Sequence, residues 1–269
     1  MVVTRETIMR FNTAKKLLHD GKPAVGLWIN MPSVVGVEAL ASVGWDWLTL
    51  DVEHGCMDFE TQQNLFIAIG ANGTVPLARI PENDTAVIKR TLDAGAYGVV
   101  VPMVCTAEEA KRAADACRYP PHGVRSAGGG RWRYWAGADY MDYANDEILC
   151  IVMIEHIDAV ARAEEILSVP GVDACFIGPS DLSWSMGLRG KRDERHAEAI
   201  QRVLEAGKKV GKPTGIHCMS PDEVVQRMQA GFQFLACQND AAFMMTGVNA
   251  AFRSVSAARA ELKQPALVH

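Results

Sequence analysis

The 269-residue chain contains no Cys-x-x-Cys pair, no apolar run approaching the roughly 18 residues of a membrane span, and no excess of basic charge. Its 27 lysines and arginines stand against 32 aspartates and glutamates, a formal net charge of -5, which argues against nucleic acid or an anionic membrane surface as partner. Small-molecule chemistry is the better expectation. The cysteines at 56, 105, 117, 150, 175, 218 and 237 are odd in number, widely spaced and mostly inside apolar runs, so they read as free thiols of a reducing compartment. The N-terminal stretch MVVTRETIMRFNTAKKLLHDGK lacks the apolar core of a signal peptide, and a cytoplasmic protein is expected. No Gly-x-Gly-x-x-Gly turn follows the first apolar run, where WINMPSV stands, and no Gly-Lys-Ser/Thr follows Gly128-Gly129-Gly130. Dinucleotides and phosphorylated substrates therefore have no support.

With 49% hydrophobic and 22% charged residues, the composition is that of an ordinary globular protein. A chain this long buries on the order of three quarters of its unfolded surface, so it needs no metal or disulfide to complete its core. Any bound metal would then be functional. Length alone would suggest two domains, but short β-branched runs alternate with amphipathic stretches almost from end to end. Strands are predicted over 24–29, 47–52, 75–80, 98–103, 148–154, 174–178, 213–218 and 232–237. A helical pattern follows each, and several end at glycine, as at Gly44, Gly95, Gly211 and Gly231. Eight such units close naturally into an α/β (β/α)8 TIM barrel, read here as one domain over 1–269 with its core at about 20–260. An open doubly wound sheet is the alternative. Residues 119–147 break the rhythm as a long loop between strands four and five, the length at which a connection tends to be a mobile lid or a subunit contact.

Barrel enzymes place their chemistry at the C-terminal ends of the strands. Those ends carry Asp51, Glu53 and His54 after strand two, Arg79 in strand three, Glu155 and His156 after strand five, and Ser180 and Asp181 after strand six. Glu155 follows an apolar run in which an unpaired carboxylate costs several kcal/mol, so it requires a cation. Asp181, on the adjacent unit, could share a divalent ion with it; alternatively Glu155 pairs with an arginine and Asp181 caps a helix starting at Leu182. Arg79 offers a fixed fork to a keto acid, or a structural ion pair to Asp51 or Glu53. Asp51 could orient His54 as a base, although His54 also fits a hydrogen-bonded loop residue. Strand alternation turns His156 away from Glu155 toward a helix start, and His217 with Cys218 could line the site, although a satisfied core pair is the preferred reading. No predicted strand carries a lysine, which disfavours imine chemistry.

The strand-end motifs resemble those of the HpcH/HpaI aldolases, class II pyruvate aldolases, over roughly residues 20–260. The marks are GLWIN near the start, LDVEH at 50–54, ARIPENDTAVIKRTLDAGAYGVVVPMV at 78–104, RYPPHGVRS at 118–126, MIEH at 153–156 and FIGPSDLSWSMG at 176–187. The resemblance implies that Glu155 and Asp181 bind a divalent ion (Mg²⁺, Mn²⁺ or Co²⁺). It also implies that pyruvate chelates this ion, with the Ser180 main-chain N–H on the carboxylate and Arg79 on the keto oxygen. His54, oriented by Asp51, would act as acid and base, and Trp28 would shape the mouth. Met153 stands where many relatives carry glutamine, and His156-Ile157 replaces their threonine-arginine.

The activity so implied is reversible cleavage of a 4-hydroxy-2-keto acid to pyruvate and an aldehyde through a metal-bound enolate, in a homo-oligomer (trimer or hexamer). Two further readings remain at this level: a metal-dependent oxaloacetate decarboxylase or citrate-lyase-β-like CoA-ester lyase, and a non-catalytic barrel subunit.

Overall fold

Strands of a parallel sheet are buried on both faces and so read as unbroken apolar runs. Each of the eight predicted runs is a strand in the computed structural model, which describes residues 11–262. The described residues open with α1 (Thr13–His19) and β1 (Ala24–Ile29), then α2 (Val34–Ala41), β2 (Trp47–Asp51), α3 (Phe59–Gly70), β3 (Val75–Arg79), α4 (Thr85–Ala94) and β4 (Gly98–Val101). Three helices, α5 (Ala107–Cys117), α6 (Trp132–Trp135) and α7 (Tyr140–Glu147), lead to β5 (Leu149–Met153). There follow α8 (Ile157–Ala161), α9 (Ala163–Leu167), β6 (Ala174–Ile177), α10 (Pro179–Ser185) and α11 (Glu194–Val210). The described residues finish with β7 (Thr214–Cys218), α12 (Pro221–Ala230), β8 (Phe234–Asn239) and α13 (Asp240–Leu262).

Each strand pairs in parallel with the next, and β8 pairs with β1, so the sheet closes into a (β/α)8 barrel. Aromatic rings help to fill it: Trp47 stacks on Phe234 at 4.4 Å between centroids, and Phe176 meets Phe234 edge-on at 5.8 Å. Helix starts are set by short polar side chains. Ser33, Asp58, Asp84, Asp193 and Ser220 each accept a main-chain N–H three residues on, and Thr106 forms a reciprocal capping box with Glu109. Such caps contribute roughly 1 kcal/mol each and fix where the chain leaves a strand end. At the far end of α11, Gly211 adopts a left-handed φ of 68°, turning the chain into β7.

Three features depart from the expectations. α1 precedes the barrel, capped by Asn12, whose side chain also bonds the Tyr97 and Glu147 carbonyls. The helical pattern expected after the fifth strand breaks at Arg162 into α8 and α9. The segment 119–147 is not a structureless loop: it contains α6 and α7 and packs inward around Arg125. That guanidinium is fully buried, paired with Asp93 at 2.8 Å, bonded to the Tyr140 hydroxyl at 3.1 Å and stacked 4.6 Å from the Tyr119 ring. A buried charge needs such compensation, and supplying it folds the connection down against the barrel.

All seven cysteines are free, five of them buried; Cys56 is exposed and Cys105 half-buried. Among the described residues no helix is long and apolar enough to cross a membrane, and no lysine lies on a strand.

Candidate active site

The C-terminal strand ends surround a cavity of about 420 Å³. Its wall is built by Trp28 of β1, Asp51 of β2, Arg79 of β3, Met153 of β5, Phe176 of β6 and His217 of β7, with Asn30, His54, Ser180 and Asp181 on the loops and helix beyond. Strand register explains the juxtaposition of the charged pair, because Asp51 and Arg79 are direct partners across the β2–β3 ladder. The guanidinium then reaches the carboxylate in a fork, Nε to Oδ1 at 3.1 Å and Nη2 to Oδ2 at 2.6 Å.

Arg79 is held on two further sides. Its Nη1 lies 3.3 Å from Glu53, and its guanidinium sits 4.9 Å from the centre of the Trp28 ring. Burial pushes the Glu53 carboxyl up, against the pull of Arg79. Of the five N–H bonds of the guanidinium, two go to Asp51, while Nη1 meets Glu53 as an ion pair without a hydrogen bond, so donors remain for a ligand. The two alternatives weighed for this residue thus coexist: the arginine is ion-paired and also lines the cavity.

Asp51 is 4% exposed and meets His54 through the main chain, accepting the His54 N–H at 3.1 Å. Its remaining capacity goes to Arg79 and to the Asn30 amide, 2.8 Å away. The carboxylate therefore shapes the turn that carries His54, and the imidazole itself is exposed at the cavity edge.

Glu155, just past β5, is 3% exposed. Oε1 accepts the Met103 main-chain N–H at 2.9 Å, while Oε2 is closed to solvent and has no partner. Burial pushes this carboxyl up to about 7, opposed by the Met103 N–H and reinforced by the charges of Asp181 and Glu53. Gly178 makes room for it: a Cβ at that position would stand 2.3 Å from Glu155 Oε2. Asp181 lies in the first turn of α10, with Gly178 as the cap and Pro179 as the first helical residue, so it does not itself begin the helix. The turn is supported from below by His196, whose Nε2 is 2.8 Å from the Pro179 carbonyl.

An orphaned, buried carboxylate oxygen near a second carboxylate is the donor set that a hard dication satisfies. No cluster of three or more histidine, cysteine, aspartate or glutamate side chains suited to a metal occurs among the described residues. Two protein carboxylates are nonetheless what a Mg²⁺-type site commonly uses, its other positions going to water and substrate.

Residues 24–245 match the family model described as HpcH/HpaI aldolase/citrate lyase. The chain belongs to this family. A hydroxypyruvate/pyruvate aldolase of Rhizorhabdus wittichii is 37% identical over 236 residues, covering 87% of this chain and 94% of that protein. A 4-hydroxy-2-oxo-heptane-1,7-dioate aldolase of Klebsiella pneumoniae is 37% identical over 246 residues, covering 89% and 92%. Among solved structures, an HpcH/HpaI aldolase/citrate lyase family protein of Burkholderia cenocepacia superposes with a TM-score of 0.87 at 33% identity, covering 91% of this chain and 99% of that one.

Within this HpcH/HpaI-family barrel, the structure gives three further positions a place that sequence reasoning did not. Asn30 and Asn239 line the cavity, and Asp240 anchors the loop after β1. Of the two readings of His217 the structure takes the less favoured: it lines the cavity and is no satisfied core residue, its Nδ1 having no partner. Burial, aided by the positive charge of Arg79, pushes its imidazole down to about 4, so it is neutral near pH 7. Its one sequence signal was its place at a strand end. His156, by contrast, caps α8 as expected, its Nδ1 accepting the Asp158 N–H at 3.2 Å.

Proposed function

We propose that this family member is a divalent-metal-dependent class II aldolase that reversibly cleaves a 4-hydroxy-2-keto acid to pyruvate and an aldehyde. One observation carries the reading: Glu155, a buried carboxylate with an unpartnered oxygen, lies against Gly178 of the cavity wall and feels the charge of Asp181, which lines that cavity together with the Arg79 fork. The aldolase names of the relatives support it.

Glu155 and Asp181 would hold the ion, and Mg²⁺, Mn²⁺ or Co²⁺ bound there supplies Lewis-acid stabilisation of negative charge on a keto acid's oxygens. The N–H bonds of Arg79 that Asp51 does not take serve the keto oxygen, where charge develops as the carbon–carbon bond breaks. The fork is pinned by Asp51 before substrate arrives, so little reorganisation is needed during the reaction. Ser180, in the first turn of α10, has a main-chain N–H without an intrahelical acceptor, suited to the substrate carboxylate.

His54 is the proton-transfer group. In cleavage it takes the proton of the 4-hydroxyl. The electron pair of the C3–C4 bond passes into the pyruvate enolate, C4 leaves as the aldehyde, and the proton returns to C3 to give the methyl group. In condensation the same steps run backwards. Trp28 packs beneath Arg79 and against Phe176, closing the inner wall against water.

The free thiols support a reducing, cytoplasmic setting. Assembly with further copies of the chain, as a trimer or hexamer, is supported by α13. Met244, Val248, Phe252 and Val255 lie exposed along it at helical spacing, Phe252 at 67% exposure.

The test is synthesis. Chelator-treated protein is resupplied with Mn²⁺ and incubated with pyruvate and a panel of aldehydes, and products are identified by mass spectrometry. Metal-dependent formation of a 4-hydroxy-2-keto acid is expected; no condensation with any aldehyde or metal overturns the proposal.

A further inference from the structure

The Arg79 fork does not end at Asp51. Beyond that carboxylate a chain of hydrogen bonds continues across the closure of the barrel. Asn30, the residue after β1, donates from Nδ2 to Asp51 Oδ2 at 2.8 Å. Its main-chain N–H in turn donates to Asp240 Oδ1 at 2.9 Å, and that of Met31 to Asp240 Oδ2 at 3.1 Å. Asp240 is 4% exposed, opens α13, and also accepts the Ala241 N–H at 2.8 Å. Its charge is thus compensated by three main-chain donors at a helix start, where negative charge is favoured.

Register accounts for the row. Ile29 pairs with Leu50 across β1 and β2, and Asp51 pairs with Arg79 across β2 and β3, so Asn30, Asp51 and Arg79 follow one another around the rim. Trp28 pairs with Asn239 across β1 and β8, which brings Asp240 under the same loop. Four donors converge on Asp51: two from Arg79, the Asn30 amide and the His54 main chain. They match the roughly four acceptor sites of a carboxylate, so Asp51 has no spare direction in which to turn. Removing the Asn30 amide would leave it with the His54 main chain as its one fixed donor beside the side chain it is meant to hold.

We propose that Asn30 and Asp240 are positioning residues that fix the Arg79 fork, through Asp51, in the attitude that meets the substrate. The proposal extends the lyase reading and rests on its assignment of Arg79.

Two readouts test it. The first needs no turnover: modification of Arg79 by phenylglyoxal, mapped by mass spectrometry in Asn30→Ala and the unaltered protein. A severalfold faster modification is expected in Asn30→Ala, with a smaller rise in Asp240→Asn, which keeps one acceptor oxygen. Thermal melts confirm that the variants fold. The second is metal-dependent deuterium exchange into pyruvate. In Asn30→Ala, kcat should fall roughly tenfold or more while Mn²⁺ affinity is unchanged, as befits a misplaced group. Asn30→Asp supplies the discriminating profile. Ionised, the new carboxyl faces Asp51 and repels it, the other titratable groups being Asp240 on its own main chain, Arg79 on Asp51, Glu53 on Arg79, and His54 and His217 on the same cavity wall; protonated, it regains a donor for Asp51. Its activity relative to the unaltered protein should therefore climb as pH falls, and that of Asn30→Ala should not. Unchanged Arg79 reactivity in Asn30→Ala overturns the proposal whether or not the protein turns over. Raised reactivity with unchanged kcat overturns its catalytic part. Raised reactivity in a protein that shows no exchange at all overturns the lyase reading instead.

Discussion

Replacing Glu155 by glutamine keeps the shape of the side chain and removes the charge, and its consequences divide sharply with pH and metal. The Glu155 carboxyl is raised from the ordinary 4.5 to about 7 by burial. At about 1.4 kcal/mol per pKa unit, ionising it inside the metal-free protein costs roughly 3 kcal/mol relative to the unfolded chain. Because the folded pKa is the higher one, the contribution is fully present below pH 4.5, declines as pH rises, and is gone above about 7. Glutamine is neutral throughout. In the presence of a chelator, Glu155→Gln and the unaltered protein should therefore melt together near pH 4. At pH 8 the variant should melt roughly 6–12 °C higher, taking 2–4 °C per kcal/mol for a protein of this size. Mn²⁺ reverses the order, because it stabilises only the form that binds it. In the unaltered protein, metal affinity should weaken about tenfold for each pH unit below 7, as the proton competes for the carboxylate. Thermal melts across pH with and without Mn²⁺ read both effects. A variant that gains nothing between pH 4 and pH 8 would refute the buried-charge reasoning.

Other perturbations have equally direct outcomes. Gly178→Ala sets a methyl group 2.3 Å from Glu155 Oε2, so Mn²⁺ binding measured by calorimetry should be lost while the barrel still folds; unchanged affinity would show that Glu155 is not held as described. Arg79→Lys keeps the charge and loses the fork, and turnover should fall on the order of 100-fold; steady-state kinetics with unchanged kcat would make Arg79 purely structural. His54→Ala should slow proton transfer by roughly 100-fold or more with metal affinity nearly intact, and an undiminished rate would remove His54 from the mechanism. Phe252→Glu places a charge on the apolar stripe of α13, and sedimentation should show smaller assemblies than in the unaltered protein; an unchanged sedimentation profile would locate the contact elsewhere.

The barrel was legible because its signals are local. Runs such as Cys150–Met153 and Ala174–Ile177 are buried along their whole length, and helices such as α11 end at glycine. The strand-end carboxylates were visible for the same reason, since Glu155 directly follows such a run. What escaped depends on partners far apart in sequence. Asn30 matters through Asp51 and Asp240, the latter 210 residues away, a contact made only by closing β8 onto β1. Asp51 was expected at the His54 ring, yet strand register sets it opposite Arg79, and its hydrogen bond to His54 is to the main chain. The helices α6 and α7 were hidden because three glycines and a cluster of arginines and tryptophans blur the apolar period, while the burial of Arg125 that organises them needs Asp93 on α4.

The central claim is that this cavity forms and holds a pyruvate enolate with the help of a divalent ion. NMR detection of solvent deuterium entering the methyl group of pyruvate tests it without any choice of aldehyde. Exchange that vanishes with chelator, returns with Mg²⁺ or Mn²⁺ and collapses in Arg79→Lys is the predicted result. Absence of exchange with every metal, in a protein that binds the ion, would contradict the account.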